Sequence, residues 1–120
     1  MNPKIDKVEM SPDDHRTVKA SGPIEWDSDE VSATFVVVIG QVKQQGRIVY
    51  ATGRTKRTFW PSDERWEAEA AIVDPDDRFV YGDATGWAVA SVKENTGAIE
   101  PYPWEVELLK IARPAIAVPQ

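Results

Sequence analysis

The sequence contains no cysteine, one histidine and no long apolar run, and each of these features excludes a class of protein. Without cysteine, the 120-residue chain has no disulfide, no thiolate metal ligand and no cysteine nucleophile. Because His15 is the one histidine, a zinc site would need three or more carboxylate ligands, which is unusual. The longest apolar run, residues 35–39, falls far short of the roughly 20 residues that a membrane helix needs.

The N-terminal residues point to a protein without a targeting segment. Their lysines are not followed by an apolar stretch, so a secretory signal is not predicted. A chain without cysteine also suits a reducing compartment. We therefore expect a cytoplasmic protein that has no membrane partner and no cofactor.

Charge is distributed unevenly along the chain. The net charge is −6, yet residues 31–62 contain five cations and no acid. A net negative chain repels phosphate backbones, so nucleic acid is not an expected partner. The basic middle predicts either a local patch for a partner or a solvated face whose cations pair with acids from neighbouring strands.

Apolar residues recur mainly with a period of two, which predicts an all-β fold. Residues 31–39 alternate, and both of their faces become apolar towards residue 39, as in a strand covered on both sides. Residues 47–52 continue the alternation after the short turn at 44–46, so the two segments predict a hairpin. Further strands are predicted at 84–93 and 102–111. With the shorter segments the total is about seven or eight strands, which favours a sandwich or a barrel.

Residues 62–73 are ambiguous between strand and helix. Their first residues are typical of a helix start, whereas Trp66, Ala68, Ala70 and Ile72 alternate with acids in strand order. We favour a strand. Residues 55–60 are expected to form a short basic strand that Pro61 ends.

The domain prediction is a single unit with two extensions. Residues 1–20 are expected to be an N-terminal edge segment of that unit, and residues 21–112 its β-sandwich core. Residues 113–120 contain two prolines and are expected to form an extended tail.

The arrangement of these segments resembles an immunoglobulin-like antiparallel β-sandwich of the bacterial kind. The resemblance is carried by the strand at 31–39, its partner at 47–54, the segments 65–70 and 79–84, and the strands beginning at 86 and 103. The resemblance covers roughly residues 20–112 and stays at the level of architecture. It departs from antibody domains in having no cysteine pair and no tryptophan within 47–54. It implies a scaffold that commonly serves in binding.

No catalytic constellation is visible, so the protein is not predicted to be an enzyme. His15 lies in a polar turn and is expected to belong to a surface loop, because a triad needs a histidine that a carboxylate orients towards a nucleophile, and the adjacent Asp14 does not by itself indicate one. The seven glycines form no phosphate-binding spacing. Residues 27–30 hold three carboxylates, and a second acidic group is a weak calcium candidate, although such residues are also ordinary turn material: Asp74, Asp76, Asp77 and Asp83.

Five tryptophans are many for this length. Trp66, Trp87 and Trp104 alternate in phase with apolar neighbours and are predicted to pack in the core. Trp26 and Trp60 stand at the ends of elements, where exposed rings serve as sugar platforms or as hot spots for protein partners.

The sequence therefore predicts a non-enzymatic interaction or structural module that docks onto a protein partner or a larger assembly. The predicted contact surface consists of Arg54, Lys56, Arg57 and Trp60. The alternative is a small carbohydrate-binding module that uses Trp26 or Trp60, with calcium as a possible stabiliser. A small enzyme ranks third, because it would need catalytic residues that no motif reveals. The oligomeric state does not follow from the sequence.

Overall fold

The computed structural model describes residues 1–43, 46–103 and 107–114. These residues contain no α-helix, so none of them forms a helix able to cross a membrane. They form nine strands: β1 (Asn2–Pro3), β2 (Lys7–Glu9), β3 (Thr17–Glu25), β4 (Glu30–Val42), β5 (Ile48–Arg54), β6 (Arg65–Ile72), β7 (Gly82–Glu94), β8 (Ile99–Pro103) and β9 (Glu107–Ala112). The prediction of an all-β protein is confirmed.

Seven of the strands close into a barrel. Around the ring the order is β3, β2, β9, β7, β4, β5 and β6, and β6 pairs again with β3. Neighbours are antiparallel except for β2 and β9, which pair in parallel. The expected sandwich has two separate sheets, whereas here one hydrogen-bonded sheet closes on itself. Strands β2 and β3 were predicted as edge pieces within residues 1–20. They belong instead to the closed barrel, and each has a neighbouring strand on both sides.

The barrel is flattened, since its principal extents are 47 × 43 × 22 Å. We call β5, β4, β7 and β9 the first wall, and β6, β3 and β2 the second wall. The two walls face each other across the core, where the Phe35 ring of β4 stacks on the Trp66 ring of β6 with centroids 5.3 Å apart. Alternation explains the packing, because every second residue of a strand points inward. Val37 and Ile39 from the first wall are fully buried, as are Val18 and Ala70 from the second.

The ambiguous segment 62–73 forms β6, as predicted. Seven consecutive residue pairs join β6 to β3, from Pro23↔Arg65 to Thr17↔Ala71. A helix would bury one side of the segment and lose this ladder. Trp66, which is completely buried, also donates its indole N–H to the carbonyl oxygen of Lys4 at 2.9 Å. The strand therefore satisfies both the backbone and the largest apolar side chain.

Three sequence predictions need correction. Residues 55–60 form no strand: Phe59 makes an isolated bridge to Ala33, while Lys56 and Arg57 turn outward towards acids. Trp87 is not a core residue, because the outer side of β7 carries it and 37% of it is exposed. The strand expected at 102–111 consists of β8 and β9, and residues 104–106, including the predicted core residue Trp104, lie outside the described residues. The same holds for residues 115–120 of the predicted tail.

Glycine allows the barrel to close at two points of close backbone approach. A Cβ at Gly53 in β5 would lie 1.8 Å from the carbonyl oxygen of Glu69 in β6. A Cβ at Gly22 in β3 would lie 1.6 Å from the carbonyl oxygen of Lys4. Both distances are far inside van der Waals contact, so a side chain at either position would force the segments apart.

Strand β8 has one hydrogen-bonded side. In the part of the chain that the structure describes, β7 is its partner, with the register Ser91↔Pro101 and Val89↔Pro103. Alternate residues of a strand direct their N–H groups to the same side. Because proline has no N–H, the paired side must be that of Glu100 and Tyr102, and the free side lacks donors at both prolines. This edge is therefore a poor template for another strand.

Candidate binding surface

A short loop between β5 and β6 presents one of the predicted contact residues, Trp60. Arg57 forms two hydrogen bonds with Asp63, from Nη1 at 3.1 Å and from Nη2 at 3.0 Å. The Arg57 guanidinium also lies 3.9 Å from the centroid of the Phe59 ring, which is 3% exposed. Asp63 Oδ2 accepts the backbone N–H of Trp60 at 2.9 Å. The loop is thus fixed at both ends by one carboxylate, and we call residues 57–63 the clamped loop.

The electrostatics of the clamped loop follow from the same contacts. Hydrogen bonding from Arg57, and then from the Trp60 N–H, lowers the pKa of the Asp63 carboxyl group. In return, the carboxylate of Asp63 raises the pKa of the Arg57 guanidinium. Both groups are therefore charged over the whole neutral range.

The two tryptophans named as exposed candidates meet at this loop. Trp60 is 51% exposed. Trp26 is half-buried against the core, and its indole N–H donates to the carbonyl oxygen of Asp63 at 2.9 Å. Asp63 therefore contacts both tryptophans, through its backbone in one case and its side chain in the other.

The predicted basic side chains are divided between two surfaces. Lys56 and Arg57 line a concavity of about 740 Å³ on the outer side of the second wall. Arg54, at the end of β5, instead belongs to the outward series of the first wall, where its register partner is Val36. The structure thus brings Lys56, Arg57 and Trp60 to one loop and places Arg54 on a neighbouring face.

Ion pairs neutralise most of the concavity. Lys56 Nζ lies 3.1 Å from a Glu69 carboxylate oxygen, and every other cation of the lining has a partner of its own: Lys7 with Glu9, Lys19 with Glu67, Arg57 with Asp63 and Arg65 with Asp6. Of the basic middle, Lys56 pairs with an acid of a neighbouring strand, as one interpretation of the sequence expected, whereas Arg57 pairs within its own loop. An incoming anion would have to displace carboxylates already in place.

Sequence reasoning did not identify an apolar surface on the outer side of the first wall. We call it the apolar face, and its members are Val36, Val38, Val42, Ile48, Tyr50, Trp87, Val89 and Leu108. The signal was present, since residues 31–39 become apolar on both faces of the strand. It was interpreted there as a strand covered on both sides.

The acidic residues proposed for calcium serve as turn formers and ion-pair partners. Asp74 Oδ1 accepts the backbone N–H of Asp76 at 2.9 Å, and the largely buried Asp77 pairs with Arg47. Asp83 lies on the outer side of β7. Among the described residues, no three histidine or acidic side chains are grouped so that they could hold a metal ion.

His15 is a packing residue in the structure. Its Nδ1 lies 2.9 Å from the carbonyl oxygen of Phe79, which can only accept, so Nδ1 carries the proton and donates. The ring also meets the edge of Tyr81 at a centroid distance of 5.5 Å. These contacts join the loop before β3 to the loop before β7.

No protein family, curated protein or solved structure matches this chain.

Proposed function

We propose that the protein is a non-enzymatic interaction module that binds a protein partner through Trp60 and the basic side chains beside it. The observation that supports this proposal most directly is a half-exposed tryptophan on a loop that one carboxylate fixes at both ends. Tryptophan and arginine are the residues most enriched among interface hot spots.

The clamp supports the proposal because it reduces the cost of binding. Immobilising a flexible side chain at an interface costs about 0.5–1.5 kcal/mol, and a loop that is already ordered avoids much of this cost. Lys56 and Arg57 precede Trp60 in the same loop, and an acidic partner would have to replace the carboxylates of Glu69 and Asp63 that now pair with them. Arg54 would extend the contact towards the first wall. Lys56 is well placed for an exchange of partners, since its side chain is 84% exposed despite the Glu69 pair.

Affinity measurements with matched variants test this proposal. A partner captured by the purified protein is identified and purified, and its Kd is then measured for the wild type and three variants. We expect Trp60→Ala to weaken binding by about 30-fold or more, the effect of a hot-spot residue worth about 2 kcal/mol. Asp63→Asn keeps Trp60 and loosens the clamp, so its loss of affinity should be smaller than that of Trp60→Ala. Val80→Ala removes an exposed apolar side chain from the loop before β7 and serves as the control. Equal affinity of the wild type and Trp60→Ala would contradict the placement of the surface.

A second candidate function is carbohydrate binding, favoured by the shared contact of Trp26 and Trp60 with Asp63. Indole rings provide apolar area for a sugar, and the exposed carboxylate of Asp27, which follows Trp26 and pairs with the N-terminal amine, provides an acceptor for sugar hydroxyl groups. Calcium at Asp74, Asp76, Asp77 and Asp83 belongs to this second candidate. Oligosaccharide titrations monitored by tryptophan fluorescence, with and without calcium, test it. A response that Trp60→Ala abolishes would favour the sugar, and silence across the series would favour the protein partner.

The cytoplasmic location and the immunoglobulin-like resemblance also stand as proposals. The absence of cysteine supports the first. The strand order and the flattening of the barrel into two opposed walls support the immunoglobulin-like resemblance.

A further inference from the structure

The apolar face lies on the outward side of four neighbouring strands, where Gly40, Thr52 and Thr85 stand between its members. In register, Thr52, Val38 and Trp87 form one row, and Ile48 lies opposite Val42 in another. The exposed fraction reaches 90% for Leu108, 69% for Val42 and 57% for Ile48. Val38 and Val89, on the same outward side, are half-buried. Water therefore covers a valine-rich surface of a kind that usually lies inside a protein.

The outer side of the second wall is charged, so the apolar composition is particular to the first wall. There the outward series on β6 is Arg65, Glu67 and Glu69, with Lys19 beside it on β3. That face alternates charges, as a sheet exposed to water does. An apolar surface on only one of two opposed walls marks that wall as the candidate for contact with another protein surface.

Charge on the first wall favours a second copy as that surface, in spite of the net charge of −6. The outward residues of β4 from 34 to 42, and all of β5, contain no acid, and their one cation is Arg54. On the adjacent strands Asp83 lies directly opposite Lys110 in the register. The acids that give the chain its negative charge thus lie mostly away from this wall, and two such walls face each other with little repulsion.

The size of the apolar face suits a pair of copies. Four strands about 4.8 Å apart and about seven residues long at 3.3 Å per residue cover roughly 400 Å² of sheet plane. A standard interface buries about 800 Å² per partner, with an apolar centre and a polar rim. The molecule is 47 × 43 Å across its broad side, which leaves ample area for that rim.

Association through the sheet edge is the competing arrangement, and β8 opposes it. Its free side lacks N–H donors at Pro101 and Pro103, so a second copy cannot continue the ladder there. The β8 edge therefore does not favour association of two copies through the sheet edge.

We propose that two copies of this chain pack first wall against first wall, with the apolar face of each covering that of the other about a twofold axis. In such an isologous interface each residue of the face occurs twice. The two sheets would then stack at the usual spacing of about 10 Å. This inference is independent of the proposed function, which concerns the clamped loop.

Sedimentation velocity over a wide range of concentrations tests the proposal. The wild type should pass from the mass of one chain to that of two as concentration rises. Leu108→Lys and Tyr50→Lys place a charge at opposite sides of the face, and each should raise the dimer Kd at least about tenfold. Both positions are already exposed, at 90% and 49%, so the variants should fold. If one of the two variants does not fold, the other still tests the proposal.

The matched control is Val80→Lys, which adds the same charge at a residue 55% exposed in the loop before β7. Each lysine moves the net charge towards neutrality, so a general charge effect would strengthen the dimer rather than weaken it. The control should associate like the wild type, and so should Trp60→Ala. A wild type that stays monomeric, a dimer that tolerates both face variants, or one that Val80→Lys weakens equally would each overturn the proposal.

Discussion

Gln41 and Val80 are joined by two hydrogen bonds of opposite direction. The Gln41 side-chain N–H donates to the Val80 carbonyl oxygen at 2.8 Å, and its Oε1 accepts the Val80 N–H at 2.9 Å. The same amide nitrogen donates to the Asp83 carbonyl oxygen at 3.1 Å. Gln41 is only 4% exposed, so one inward side chain of β4 acts as the backbone partner that the segment before β7 would otherwise lack.

We expect Gln41→Met to lower the free energy of unfolding by about 2 kcal/mol, because it keeps the volume and leaves backbone groups unpaired. Urea denaturation measures the change. Val42→Ala, at an exposed neighbour, should stay within about 0.5 kcal/mol. Equal stability of Gln41→Met and the wild type would show that water replaces the amide at no cost.

Gly53→Ala should destabilise the barrel by about 3 kcal/mol or more, since its Cβ would collide with the backbone of β6. Gly40→Ala is the matched control in the preceding strand: its closest new contact is the Thr85 Oγ1 at 3.3 Å. That variant should lie within about 1 kcal/mol of the wild type. Thermal unfolding monitored by circular dichroism distinguishes them. Similar losses of stability in the two variants would mean that these strand glycines act through conformational entropy and not through the lack of space for a Cβ.

Trp66→Phe should cost about 2–3 kcal/mol, because it leaves a cavity beside Phe35 and removes the donor to the Lys4 carbonyl oxygen. Trp87→Phe changes the same atoms on the outer side of the first wall, so its cost should stay below about 1 kcal/mol at concentrations where the chain is monomeric. Chemical denaturation compares them. Reversed magnitudes would contradict the assignment of the two rings to inside and outside.

The Arg57–Asp63 pair should give stability a defined pH dependence. The pKa of Asp63 is lowered in the folded state from an ordinary value of 3.8, so the folded protein binds its proton less readily than the unfolded chain. The contribution is therefore fully present above pH 3.8 and is lost as the pH falls through the lower folded value. The difference in Tm between the wild type and Asp63→Asn should be constant at neutral pH and shrink in acid.

Asp76→Asn, in an exposed turn, controls for the removal of one negative charge. A Tm difference between the wild type and Asp63→Asn that persists unchanged into strong acid would mean that the carboxylate charge does not contribute.

Period-two patterning predicted the all-β class and several of the strands. It identified β4, β5 and β7, and the alternation of Trp66 with acids correctly favoured a strand over a helix at 62–73. These predictions succeeded because alternation is a local property that a strand needs wherever it pairs.

The closure of the sheet and the choice of inward side were beyond the sequence pattern. Pairing of β3 with β6 and of β2 with β9 joins distant residues, for which no local signal exists. In β7 both alternating sets are apolar, so periodicity could not decide whether Trp87 or Ala88 points inward. Ala88 is the inward residue and is fully buried, so the prediction that Trp87 packs in the core was wrong.

The clamped loop was anticipated in part. Its composition marked Arg57 and Trp60 as candidates, but the separation of Arg54 from them depends on how residues 55–60 leave the sheet. The Asp63 contacts that order the loop come from a side chain that had no distinguishing signal in the sequence.

The parallel contact of β2 with β9 has a kinetic consequence. Val8 lies beside Ile111, so the last gap in the ring closes between residues separated by almost the whole described chain. During synthesis, β3 to β7 can pair as they emerge. The pairing of β2 with β9 can form only after β9 has been synthesised. Domains ruled by such distant pairings fold in milliseconds to seconds, far more slowly than helical bundles. A nascent chain of this protein would therefore hold an open, half-finished sheet until residues 107–112 leave the ribosome.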